Sequence, residues 1–228
     1  MTAPYASEAD SAALRLAEVR SVIARAAGDA RRDPDDVTLI AVSKTHGTDA
    51  ILPLIAAGQR HFGENRVQET ATKWPALREA HSGLTLHMVG QLQSNKAEDA
   101  VRLFDVIHSL DRPSLVVALA RAMDRAGRRL PCFLQVDLAG EPQKGGCAPA
   151  DLPALVATAR DADIPVAGLM TVPPLALEPA PWFALLAKLA DDHGLAGRSM
   201  GMSGDYPTAV RIGATHIRVG TALFGARD

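Results

Sequence analysis

Only two cysteines, Cys132 and Cys147, occur in 228 residues, too few for a disulfide framework and without zinc-site spacing. Both are expected to be free thiols. No stretch approaches the roughly 18 consecutive apolar residues of a membrane span. The first residues, 1–13, include Glu8 and Asp10 and lack an apolar run, so neither a secretory signal nor a transit peptide is expected there. Charge of one sign is also missing: the net charge is −2, with Lys and Arg dispersed among acids, which argues against nucleic acid as a partner. The seven histidines lack metal-site spacing, and there is neither a Gly-x-Gly-x-x-Gly loop nor a complete phosphate-binding loop around Lys144-Gly145-Gly146. No metal is predicted. What is present is a globular composition, 47% hydrophobic and 22% charged. The expectation is a soluble, cytoplasmic protein with one domain spanning 1–228, without nucleic-acid or membrane partners.

Apolar residues recur at helical spacing over 7–30, with Ser7 as a candidate N-cap and Gly28 as a stop. Eight β-rich runs follow, at 37–42, 61–63, 84–89, 106–109, 131–136, 166–170, 198–200 and 216–219. Helical patterns separate them at 48–57, 67–80, 96–103, 112–126, 150–162, 180–192 and 206–212, and none is predicted after the last strand. Strands alternating with helices imply parallel pairing, because a parallel connection needs a crossover of a dozen or more residues. An open doubly wound sheet shares the rhythm with fewer strands, so the count favours an α/β fold of the (β/α)8 barrel type with an extra N-terminal helix.

Polar or small residues follow most of the strands, where the catalytic face of such a barrel lies. These include Ser43-Lys44-Thr45, Gly63-Glu64-Asn65, the loop Gly90 to Lys96, Asp137, Thr171, Gly201 to Asp205, and Gly220-Thr221. Lys44 ends the apolar run Leu39-Ile40-Ala41-Val42, where desolvation would favour its neutral, nucleophilic form, unless it simply extends its ammonium into water. Ser203-Gly204 and Gly220-Thr221 follow the last two strands, which often hold a phosphate in these barrels, although glycines there also serve turns. An amine facing a phosphate site suits a phosphorylated aldehyde such as pyridoxal 5'-phosphate (PLP), or a phosphorylated sugar handled by a Schiff-base aldolase. Arg218, in the last strand, either faces outward or aims a cation at the pyridine nitrogen of PLP. Among the histidines only His87, at a strand-to-loop boundary, is expected at the barrel mouth. Ser94 is expected to cap the following helix, while Gln91, Gln93 and Asn95 suit a site rim or a regulatory surface.

Seven motifs in order carry a resemblance along most of the chain. They are Ala41-Val42-Ser43-Lys44-Thr45; Gly58 to Asn65 with Val67-Gln68-Glu69; His87 to Lys96; Ile107 to Asp111; Gly168 to Thr171; Ser199 to Ser203; and Arg218 to Gly225. Through them the sequence resembles the YggS/PROSC family of pyridoxal phosphate homeostasis proteins, itself similar to the N-terminal barrel of bacterial alanine racemase. The resemblance implies PLP held as an internal aldimine on Lys44, with Ser203, Gly220 and Thr221 around the phosphate and Arg218 at the ring nitrogen. It further implies Asn65 near the hydroxyl side and His87 and Met202 along the ring. His46-Gly47, Asp137 to Gly140 and the proline-rich segment after Met170 depart from the family pattern, which bears on loops and partner surfaces.

Three functions are compatible with these residues. A homeostasis module would keep a reactive aldehyde tied to Lys44 and pass it to PLP-dependent client enzymes, with no catalysis of its own, as a monomer. An amino-acid racemase would need a second base on the far face. In alanine racemase that is a Tyr from a C-terminal domain, which this sequence is expected to lack, and Tyr5 and Tyr206 are poor substitutes. An aldolase would need an acid or base near Lys44, and Glu64 is the candidate.

Overall fold

The computed structural model describes residues 8–225. Helix α1 (Glu8–Asp29) leads into eight strands: β1 (Thr38–Val42), β2 (His61–Glu64), β3 (Thr85–Met88), β4 (Val106–Leu110), β5 (Cys132–Gln135), β6 (Val166–Met170), β7 (Gly197–Met202) and β8 (His216–Val219). The connecting helices are α2 (Thr48–Ala56), α3 (Val67–Ala80), α4 (Ala97–Leu103), α5 (Pro113–Ala126), α6 (Leu152–Asp161), α7 (Ala180–Asp192) and α8 (Tyr206–Arg211). All neighbouring strands pair in parallel, and β8 returns to β1 through Thr38↔His216 and Ile40↔Arg218, so the sheet closes into a barrel. Among the described residues no helix is long and apolar enough to cross a membrane.

Strand alternation divides the core into two compartments. Leu39, Ala41, Phe62, Leu86, Met88, Ile107, Leu134, Ile217 and Val219 face outward into one apolar layer shared with the helices. Ile40, Phe133 and Met170 are buried but stand apart from that layer, in the barrel interior with Gly63, His87, His108, Ser199 and Arg218. Two glycines let the sheet close: a Cβ on Gly168 would lie 2.1 Å from Gly197 O, closer than any real contact.

Three local expectations are corrected. Helix α1 runs one residue beyond Gly28, and the left-handed turn residue is Arg31 (φ 56°). A four-residue helix, α9 (Thr221–Phe224), follows β8 where none was predicted, too short for a periodicity to show. Ser94 does not cap α4: its hydroxyl accepts instead from Arg112 Nη2 at 3.2 Å, because a single 3-10 turn intervenes. Ser7 lies outside the described residues.

Candidate functional site

A cavity of about 430 Å³ opens at the C-terminal ends of the strands, a size suited to a small cofactor. Seven residues singled out from sequence line it: Lys44, Asn65, Met202, Ser203, Arg218, Gly220 and Thr221. Alternation along β1 explains Lys44: Val42 and Lys44 share the inward side, while Ala41 and Ser43 point to the helices. Lys44 is only half-buried, so its place on the wall, rather than deep desolvation, singles it out.

The loop carrying Lys44 is clamped from outside by α3. Buried Glu64 accepts from Ser43 Oγ at 2.7 Å and from Trp74 Nε1 at 2.9 Å, and pairs with Lys73 Nζ at 2.6 Å. Lys73 also donates to Ser43 O and His46 O, at 2.9 and 3.0 Å. Thr45, in the left-handed region at φ 66°, is held by its N–H to Glu69 Oε1 at 2.7 Å. Glu64 therefore faces α3 and anchors the loop. It offers no acid or base to the cavity, which removes the one the aldolase reading required.

Beside β1, which pairs with β8, the loops after β7 and β8 are tied together by Ser203 Oγ, which accepts from Gly220 N–H at 3.1 Å and Ala222 N–H at 3.5 Å. A Cβ on Gly204 would meet nothing within 4 Å, and one on Gly220 only Val42, its O at 3.4 Å and its Cβ at 3.8 Å. Both glycines leave space beside the Ser203 and Thr221 hydroxyls. The lining therefore fits a phosphate: two hydroxyls with room beside them, on loops next to the one that carries the amine.

Arg218 points inward from β8. It is 5% exposed and donates to Ser199 Oγ at 2.6 Å and Thr171 O at 2.7 Å. Burial pulls its pKa down to about 10, opposed by Asp205, so it remains a cation at neutral pH.

His87 is not part of the cavity lining. Its position places it in the barrel interior, where Nε2 meets His61 Nδ1 at 3.1 Å and Nδ1 meets His108 Nε2 at 2.9 Å. The strand-to-loop boundary suggested a mouth position, but β3 carries Val89 to the rim and leaves His87 one layer below. His46 was missed: it lines the cavity and stacks on Phe224 with ring centroids 4.5 Å apart. The available signal was its spacing of two from Lys44 and four from Val42.

Four imidazoles, His61, His87, His108 and His216, thus occupy the interior. Desolvation by burial lowers the pKa of each, well below 6.5 for His87 and His108 and to about 4 for His216. Below pH 6.5 the unfolded chain binds protons that the folded protein refuses, so stability is greatest above 6.5 and falls as pH drops toward 4. Denaturant titrations should show a loss already between about pH 6.5 and 5, before most carboxylates protonate. A flat profile there would contradict neutral interior histidines. The two thiols are buried and inert: burial pushes Cys132 up to about 12 and Cys147 to about 11.

The profile of the alanine racemase N-terminal domain matches residues 15–228. A Pseudomonas aeruginosa protein named pyridoxal phosphate homeostasis protein is 41% identical over 219 residues, covering 93% of this chain and 94% of its own. The Escherichia coli K12 protein of the same name is 38% identical over 228 residues, covering 93% and 95%. Among solved structures, PipY of Synechococcus elongatus with PLP bound superposes with a TM-score of 0.84 at 43% identity, covering 94% of this chain and all of that one. Alanine racemase of Streptomyces lavendulae shares the fold, at TM-score 0.69 and 20% identity over 57% of its length.

Proposed function

This chain belongs to the alanine racemase N-terminal domain family and, within it, to the pyridoxal phosphate homeostasis proteins, and from that premise we propose that it holds PLP on Lys44 in the mouth cavity. The observation that carries the reading is the cavity's lining: one amine on a clamped loop, two hydroxyls on the loops after β7 and β8, and a buried cation, all on one cavity. Lys44 Nζ adds to the aldehyde with loss of water. The Ser203 and Thr221 hydroxyls take the phosphate beside Gly220, whose N–H holds Ser203 Oγ in place, Arg218 faces the ring nitrogen, Asn65 the hydroxyl side, and Met202 the ring. His87, beneath the cavity, is assigned no contact.

PLP supplies a reactive aldehyde and, when its ring nitrogen is protonated, an electron sink. Arg218 stays charged and can only donate to that nitrogen, so the ring remains unprotonated and carbanion chemistry is disfavoured. Nor do Glu64, His87 or Tyr206 reach the cavity lining, where the imidazole present is that of His46. Glu64 faces α3, His87 lies in the interior, and Tyr206 is buried at the start of α8, near enough to Glu18 and Arg25 of α1 to feel their charges. Tyr5 lies outside the described residues. The function is PLP homeostasis within the cytoplasm, carried by residues 1–228 as one monomeric domain that supplies PLP-dependent client enzymes.

Holding rather than turning over makes a direct test available. In deuterated water the PLP-loaded protein should give neither Cα exchange nor D-isomer from L-alanine or L-serine above a Lys44→Ala control. Turnover of roughly 1 per second, ordinary for an enzyme, would replace homeostasis with racemisation.

A further inference from the structure

The interior hydrogen bonds join into one path from the mouth to the opposite end of the barrel. Arg218 donates to Ser199 Oγ at 2.6 Å, and Ser199 Oγ lies 2.8 Å from His108 Nδ1. His108 Nε2 lies 2.9 Å from His87 Nδ1, and His87 Nε2 lies 3.1 Å from His61 Nδ1. His61 is half-buried and lines a second cavity, about 460 Å³, between α1 and the starts of β1 and β2.

The direction of this path follows from the arginine. A guanidinium only donates, so Ser199 Oγ accepts from it. Ser199 is fully buried, and its own proton has one acceptor among the described residues, His108 Nδ1. A neutral imidazole accepting at Nδ1 carries its proton on Nε2, so His108 donates to His87, and by the same logic His87 donates to His61. We infer that Ser199, His108, His87 and His61 form a one-way hydrogen-bond chain that positions Arg218 from below and extends its polarity to the far end of the barrel. Each acts through its neighbour, as a positioning residue.

The surroundings favour that single arrangement. His108 stacks on Phe133 with centroids 4.4 Å apart, and His216 from β8 meets both rings edge-on. The charges nearby are Arg218 and, beyond it, Asp205 at the mouth, with Arg20, Asp35 and Arg60 lining the second cavity beside His61; among the described residues no carboxylate hydrogen-bonds to any of the four imidazoles. A proton added at His61 Nδ1 would force His87 and then His108 to reverse, leaving the Ser199 hydroxyl and the His108 N–H both as donors. The chain therefore resists protonation, in keeping with the lowered pKa values of all three imidazoles.

Nitrogen-15 histidine spectra of the PLP-free full chain read the direction without reference to the cofactor. At pH 7, His61, His87 and His108 should each be neutral with the proton on Nε2. In His61→Phe, which strips the last acceptor, the His108 signals should shift although its own neighbours are unchanged, and His61→Gln, whose amide oxygen accepts, should restore them. Should His61→Phe fail to fold, Ser199→Ala serves, because it removes the donor to His108 and should free that ring to populate both tautomers. The effect on the cofactor rests on the proposed role of Arg218: Ser199→Ala should weaken PLP binding about threefold to tenfold, the size of one hydrogen bond. A charged His87 or His108, an Nδ1 proton on His108, or a His108 indifferent to both substitutions would overturn the chain. Spectra as expected in a protein that never binds PLP would instead overturn the cofactor reading and leave the chain standing.

Discussion

Lys44→Ala should abolish the visible absorption that PLP produces on the wild-type protein and weaken PLP binding by at least about 100-fold. The magnitude follows from the cavity's economy. Lys44 is the lysine in its lining, so the substitution removes covalent attachment while leaving the hydroxyls and Arg218 in place. The change should be specific to ligand, since Lys44 is half-buried and the clamp around it runs through Ser43, Glu64, Lys73 and Trp74. Thermal unfolding of the PLP-free variant should therefore match wild type closely. A variant that still colours with PLP would move the attachment elsewhere.

The second large effect concerns the phosphate. Pyridoxal carries the same aldehyde and ring but no anion, so it forgoes the contacts with the Ser203 and Thr221 hydroxyls beside Gly220. Hydrogen bonds to a charged group contribute about 1.5–3 kcal/mol each, so losing two or more should weaken pyridoxal relative to PLP by roughly 100-fold or beyond. Removing both hydroxyls, in Ser203→Ala with Thr221→Val, should narrow the gap between the ligands by lowering PLP affinity alone. Equal affinities of the wild-type protein for PLP and pyridoxal would remove the phosphate from the ends of β7 and β8.

The barrel was legible because each strand and helix carries its own period, and parallel pairing follows from the long crossovers. Strand ends agree to within two residues, and β6 and β8 fall on the expected spans. Most of the candidate site was legible for the same reason: cavity residues follow strand ends, and Lys44 and Arg218 sit at inward positions of their strands. What sequence spacing could not reveal is depth. His87, Val89 and Gly90 are consecutive or nearly so, yet His87 belongs to the interior while Val89 reaches the rim. Side-chain direction near a strand end likewise escaped: Glu64 closes β2 pointing at α3, drawn there by Lys73 and Trp74 from a helix that starts three residues later. The histidine chain was invisible for a further reason. Its members come from β2, β3 and β4, and only barrel closure brings Ser199 of β7 across to His108.

The attachment itself can be read at one residue. Borohydride reduction of the PLP-loaded protein, followed by proteolysis and mass spectrometry, converts the linkage to a stable secondary amine and reports which lysine carries it. The pyridoxyl label should appear on the peptide containing Lys44, as attachment there requires. Label on Lys73, Lys96 or Lys144 instead, or an unlabelled protein, would contradict it.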